Sequence, residues 1–320
     1  MIKARSFFKP YIIPIILIFI LIFIQVVYSD LALPDYMSNI INNGIINGDT
    51  NYILNIGFKM LLVSLLGVIT SIAAGFLASR VGAKIARDLR KKVFSHVTYF
   101  DHTSIKKFGV SSLITRTTND IQQVQMFITI LLRMVVMAPV MAFGGILKIL
   151  DSNASMTWIV TIGVIAIIVL IIGIMSLAVP KFSKIQKLTD KLNLITRENL
   201  TGMLVIRAFD KSREENKRFD KVSKDITKTN LFINRVMNLM NPVMNLVSNG
   251  VILLIVWFGA KNINAGSLEV GDMMAYIQYS MQIIMSFLMI SMMFVFMPRA
   301  IVSFKRILEV LNTKNLVNDK

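Results

Sequence analysis

Six stretches of this 320-residue chain are each long and apolar enough to cross a bilayer: about 11–29, 54–79, 127–150, 156–179, 243–263 and 272–296. Crossing about 30 Å of hydrocarbon takes roughly 20 helical residues. No water is present there, so each backbone amide must find its partner inside its own segment, and the segments must be helices. The fold class that follows is all-α membrane, with six transmembrane helices. A cleaved signal is a poor account of the first stretch, because Gln25, Val26, Val27 and Tyr28 follow where small residues would be needed.

The charges sort by side. The chain has 35 Lys+Arg against 18 Asp+Glu, a net charge of +17. The basic residues fall in the N-terminus, in 80–126, in 180–242 and in the tail, with Lys59, Arg133, Lys148 and Lys261 as the exceptions. The connections at 30–53, about 151–155 and 264–271 carry Asp30, Asp35, Asp49, Asp151 and Glu269 and no basic residue. Positive charge marks the cytoplasmic side, so both termini and both long loops are expected inside a multi-pass protein of the cell membrane. Charge scattered over loop after loop argues against a nucleic-acid partner. There is no Cys, and the two His, His96 and His102, are too few for a polyhistidine site, so no metal site is expected. Asp and Glu are absent from the span cores, which disfavours proton-coupled transport.

Both inner segments read as helical hairpins. Proline, the strongest helix breaker, is absent between Pro34 and Pro139 and between Pro180 and Pro242. In 80–98 the residues Val81, Ile85, Leu89, Val93 and Val97 recur every fourth position, with Arg, Lys and Asp on the other face. Phe182, Ile185, Leu188, Leu192 and Ile195 repeat the pattern in the second loop. Such stripes make amphipathic helices that do not span. The tips are expected near 100–110 and 205–215. Long rigid arms suit a transporter driven by a cytoplasmic motor better than a six-helix channel or receptor, which would need a pore loop or regularly spaced arginines. A non-transporting scaffold of the same fold is the other alternative.

Five runs carry a family resemblance: GVSSLITRTTNDIQQV at 109–124, FITILLRMVVMAPVMAFGGI at 127–146, ENLTGMLVIRAFDKSREENKRF at 198–219, GSLEVGDMMAYIQYS at 266–280 and RAIVSFKRILEVL at 299–311. In this order they resemble the transmembrane domain of type I ABC exporters. The SLITRTTND and LLRM…AP runs are most similar to bacterial multidrug exporters that often form heterodimers. The resemblance implies a domain over 1–312, with an interfacial helix at 1–10, and a linker starting at 313–320. It further implies pairing with a second half-transporter and docking on a nucleotide-binding domain that uses ATP and Mg2+. No G-x-x-x-x-G-K-[ST] occurs in the 320 residues, so no ATP-hydrolysing residue is expected here. Coupling helices are implied at about Tyr99–Phe108 and Met203–Glu214.

Candidate site residues follow. For coupling they are Tyr99, Phe100, Asp101 and Phe108 at the first tip, Arg116 and Asp120 behind it, and Arg207, Phe209 and Asp210 at the second. Arg116 and Asp120 are four apart, which predicts an ion pair within one helix or a brace for the coupling helix. For a substrate cavity they are Arg133, Asn245, Asn249, Gln278, Gln282, Met285, Met289 and Met292. At 100° per residue the last five lie within about 40° of Gln278. Methionine is flexible and polarisable, which suits varied lipophilic partners, although plain helix packing would use the same stripe. Tyr276, Tyr279 and Trp257 are expected to stack on substrate or to anchor at the interface.

Overall fold

The computed structural model describes residues 9–152 and 156–313. The interfacial helix at 1–10 and the linker at 313–320 therefore lie almost wholly outside the described residues. Among these, six helical segments are long and apolar enough to span: Ile12–Ile45, Thr50–Thr98, Val110–Asp151, Thr157–Thr201, Ser212–Asn264 and Val270–Leu311.

The first segment joins α1 (Ile12–Ile24) to α2 (Leu33–Asn39) through a π-helical turn at Gln25–Asp30 and ends in a second one at Ile40–Ile45. The outer connection expected from residue 30 is thus largely helix. Asp49 opens α3 (Thr50–Thr98) by accepting from the Tyr52 amide at 3.0 Å, an N-cap that satisfies an orphan donor. With 49 residues α3 is about 74 Å long, more than twice a bilayer's hydrocarbon. A short α4 (His102–Phe108) and α5 (Val110–Thr115) follow, separated by Gly109 at φ 75°, a left-handed conformation glycine adopts without strain. A π-helical turn at Arg116–Asp120 leads into α6 (Ile121–Ser152). Then come α7 (Thr157–Thr201), α8 (Met203–Ala208), α9 (Ser212–Asn238), α10 (Met240–Asn264) and α11 (Val270–Leu311).

The chain divides into two compact units, Thr161–Val251 and the remainder. In the larger unit the ends of α3, α6 and α11 that charge predicts to be inner share a core. Val81, Ile85, Leu89 and Val93 are almost completely buried, with Leu113, Ile121, Val124, Ile307 and Val310. Glycines set the close approaches. A Cβ on Gly82 would lie 2.3 Å from Thr129 Oγ1, and one on Gly67 would lie 2.2 Å from Ser29 Oγ. At the outer end Gly144 and Gly145 receive Leu31 and Ile283.

The smaller unit is an antiparallel hairpin. Gly163 packs on Val251, Lys181 lies over the Phe232 ring at 5.2 Å, and Arg218 Nη1 meets Glu198 Oε2 at 2.9 Å. One partner advances along the chain as the other retreats, step for step. Ile195, Val222 and Ile233 are buried along it, whereas Phe182 is exposed and Ile185, Leu188 and Leu192 are half-buried.

Candidate functional site: the inner clip, the tips and the outer belt

The inner cluster forms where α5 ends. Arg116 is 8% exposed, and its Nη1 donates at 2.8 Å to both the Arg306 carbonyl and Glu309 Oε2 on α11. Its guanidinium also lies 4.8 Å from the centre of the Phe108 ring, a cation–π arrangement. Asp120 is buried. It accepts from Ser303 Oγ at 2.9 Å, and Arg306 Nη1 lies 3.4 Å from its other oxygen, within ion-pair range but without hydrogen-bond geometry. The ion pair expected between Arg116 and Asp120 is therefore not made. Both side chains share the face turned to α11, where Glu309 and the Arg306 carbonyl take Arg116 and where Ser303 and Arg306 take Asp120. The chemistry needs this arrangement: a buried guanidinium is costly unless paired, and α11 supplies both a carboxylate and a carbonyl.

The first tip is built on this clip. Phe100 is buried and stacks on Phe108, with ring centres 5.9 Å apart, and His96 packs edge-on against Phe100. Asp101 caps α4 by accepting from the Ser104 amide at 3.1 Å. Those Ser104 hydrogen bonds hold its carboxyl below the usual carboxylate range. Tyr99 stays exposed. The tip thus splits into packing aromatics, Phe100 and Phe108, and one open aromatic, Tyr99. Beside the clip an apolar groove of about 410 Å³ runs between α6 and α11, lined by Val124, Phe127, Leu131, Ile301 and Phe304.

The second tip is α8 and the turn after it. Leu204 is 83% and Phe209 73% exposed, and Val205 and Arg207 are exposed as well. Asp210 holds φ 49° to reverse the chain into α9. A non-glycine residue in that region carries strain, and Asp tolerates it better than most. This is an apolar surface with no cover from its own unit.

The outer belt was not expected. On α11, the Tyr279 hydroxyl donates to the Leu31 carbonyl at 3.0 Å and lies against the Asp35 carboxylate. Lys148 Nζ is 2.5 Å from the other Asp35 oxygen. The Tyr276 hydroxyl donates to the Ile149 carbonyl at 3.2 Å. Ser38 Oγ donates to Asp272 Oδ1 at 2.6 Å, and the Gly271 amide donates to Asn42 Oδ1 at 2.7 Å. Tyr276 and Tyr279 are fully buried, so they face neither substrate nor the lipid interface, contrary to expectation. Their ring sizes gave no hint of this, since their partners sit on α2 and α6, far away in sequence. Trp257 does stay exposed, with Lys261 Nζ 5.6 Å from its ring.

The stripe on α11 divides. Gln278, Met285 and Met292 are exposed, as are Met274 and Met281. Met289 is half-buried. Gln282 turns inward, and its Nε2 donates at 2.6 Å to the Asp30 carbonyl. Arg133 is exposed, with its guanidinium beside Gly75 of α3. Asn245 and Asn249 are exposed on α10 in the smaller unit.

Comparison with known proteins matches this architecture. The sequence profile described as the ABC transporter transmembrane region fits residues 15–287. An uncharacterized ABC transporter ATP-binding protein of Mycobacterium tuberculosis is 35% identical over 285 residues, which cover 89% of this chain and 49% of that protein. The ABC transporter ATP-binding protein YfiB of Bacillus subtilis is 31% identical over 314 residues, 98% of this chain and 55% of its own length. A protein of Rickettsia felis named for export, ATP binding and permease activity is 26% identical over 294 residues, 88% of this chain and 48% of its own. The chain spans about half the length of the curated relatives it matches. Six membrane-competent helices in an all-helical chain, matched over most of its length by one family, make this chain a member of the ABC transporter transmembrane region family.

Proposed function

We propose that this chain is the permease half of an ATP-driven exporter that moves lipophilic or amphipathic compounds outward by alternating access. ATP with Mg2+ would act in a nucleotide-binding domain, as the ATP-binding names of the relatives suggest. A second half-transporter, a related chain or another copy, completes the pathway across the cell membrane. In this reading 1–312 is the membrane domain, with the coupling role assigned to Tyr99, Asp101 and Phe209 at the tips and to Arg116 and Asp120 behind the first. The exposed methionines and Gln278 of α11 form the substrate wall, with Arg133, Asn245 and Asn249 as further cavity residues.

The observation that supports this reading best is the inner clip. It fastens the base of the first tip to the last turn of α11, so a push on the tip reaches a helix that carries the methionine stripe. A channel or scaffold has no need of such a link. The test is Phe209→Ala in the complete ATP-hydrolysing transporter in lipid vesicles. Truncating a well-docked aromatic removes a large part of a docking contact. Transport of a lipophilic dye should fall roughly tenfold while ATP hydrolysis without dye persists. Unchanged dye transport would remove Phe209 from the coupling contact.

A further inference from the structure

Four basic residues fall outside the basic segments, and the fold treats them differently. Lys148 pairs with Asp35, and Lys261 lies beside the Trp257 ring. The Arg133 guanidinium lies against α3 at Gly75. Lys59, inside the second spanning stretch, is exposed and has no ion pair, hydrogen bond or ring contact among the described residues. A charge within a spanning stretch is costly unless something meets it.

Next to Lys59 the surface is grooved. Ser29 and Gly67 pin the end of the first segment against α3, since a Cβ on Gly67 would lie 2.2 Å from Ser29 Oγ. Tyr28 and Leu66, the residues just before these two, stand exposed beside the contact. With Ile24, Leu62 and Val63 they line a groove of about 390 Å³. Its one polar lining group is the Tyr28 hydroxyl, which makes no hydrogen bond among the described residues. At 100° per residue Leu62, Val63 and Leu66 lie within about 60° of Lys59 on α3. Residues three and four apart on a helix have Cβ atoms about 5–6 Å apart, so Lys59 stands one turn from Leu62 and Val63. Helical side chains lean towards the helix N-terminus, so the Lys59 stem leads away from the groove towards the start of α3. The result is an apolar slot with a single cation at one end, the mirror of an acyl chain beneath an anionic head group. The bilayer offers such molecules to this face of the helix pair.

We propose that the groove between the first segment and α3 binds one anionic phospholipid, with the phosphate on Lys59 and an acyl chain along Leu62, Val63 and Leu66 against Tyr28. A zwitterionic lipid brings the same phosphate with an ammonium that opposes Lys59, so the site ranks phosphatidylglycerol above phosphatidylcholine. The site does not depend on the exporter reading.

The experiment is native mass spectrometry of the assembled transporter in detergent, offered equal amounts of the two lipids. The tightest-held lipid should be phosphatidylglycerol, bound roughly fivefold more strongly than phosphatidylcholine, as suits one lysine facing an anionic lipid. Lys59→Gln should bring the two to parity, and Lys59→Arg should keep the preference. Lys228→Gln, which removes the same charge from an exposed position on α9, should also leave it unchanged. Leu66→Trp, which fills the groove with a ring, should weaken both lipids. Glycerophosphoglycerol, the head group without chains, should displace neither. A preference that survives Lys59→Gln, or displacement by the chainless head group, would overturn the proposal. So would a cross-link from Lys59→Cys to the second half-transporter in place of bound lipid, which would make the groove a protein interface.

Discussion

Arg116 shows how much of a residue's role is set by distant partners. Its sequence context offered Asp120 four positions away, and that spacing favours an exposed helical pair. The real partners, Glu309 and the Arg306 carbonyl, are far along the chain, and only folding reveals them. The same holds for Tyr279, whose partners Leu31 and Asp35 lie on the first spanning segment, and for Asp30, which sequence assigned to an outer loop and structure places against Gln282. A ranking of energies follows. Arg116→Ala removes a buried charge and leaves the Arg306 carbonyl and Glu309 without their donor, which should cost about 3 kcal/mol. Glu309→Ala should cost about 1 kcal/mol, since Glu309 is half open to water and its pairing is screened. Thermal unfolding of the two variants in detergent checks the order, and equal losses would show that the Arg306 carbonyl alone does not satisfy the buried Arg116 guanidinium.

At the scale of helices, the sequence was more legible. The four-residue spacing of Val81, Ile85, Leu89 and Val93 named the buried face of α3, and all four are almost completely buried. Apolar spacing works there because the stripe faces its own unit. It worked less well on α7, where Phe182 remains exposed although it belongs to the same pattern. A stripe announces that a face wants covering, without naming what covers it. The register of the second hairpin was not legible at all, and it can be tested directly. A Cβ on Gly163 would lie 3.8 Å from Val251 Cβ. That spacing is about the mean for a disulfide. These 320 residues contain no Cys, so the double variant Gly163→Cys with Val251→Cys introduces the sole pair within them. Oxidation should close it intramolecularly, visible as loss of two free thiols by mass spectrometry. Persistence of both thiols would mean that α7 and α10 pair in another register.

At the scale of the whole chain, apolar length and charge sidedness were enough to expect six helices, and the fold carries them. Sidedness itself makes an outcome to measure. If the charge-derived sidedness holds, Leu204→Cys should react with a membrane-impermeant maleimide only after cells are opened, and Asn47→Cys should react on intact cells. Reversed labelling would invert the topology. One helix unites the two ends of the larger unit. α11 holds the tyrosines of the belt near its start and the Arg116 clip near its finish, and its 42 residues make it about 63 Å long. Pro298 is the one proline inside it, where the ladder of backbone bonds loses a rung. In the proposed exporter, force entering at the clip would travel along a stiff strut whose compliance is concentrated at Pro298, so that one imino acid is where the two ends of the helix would be loosened from each other.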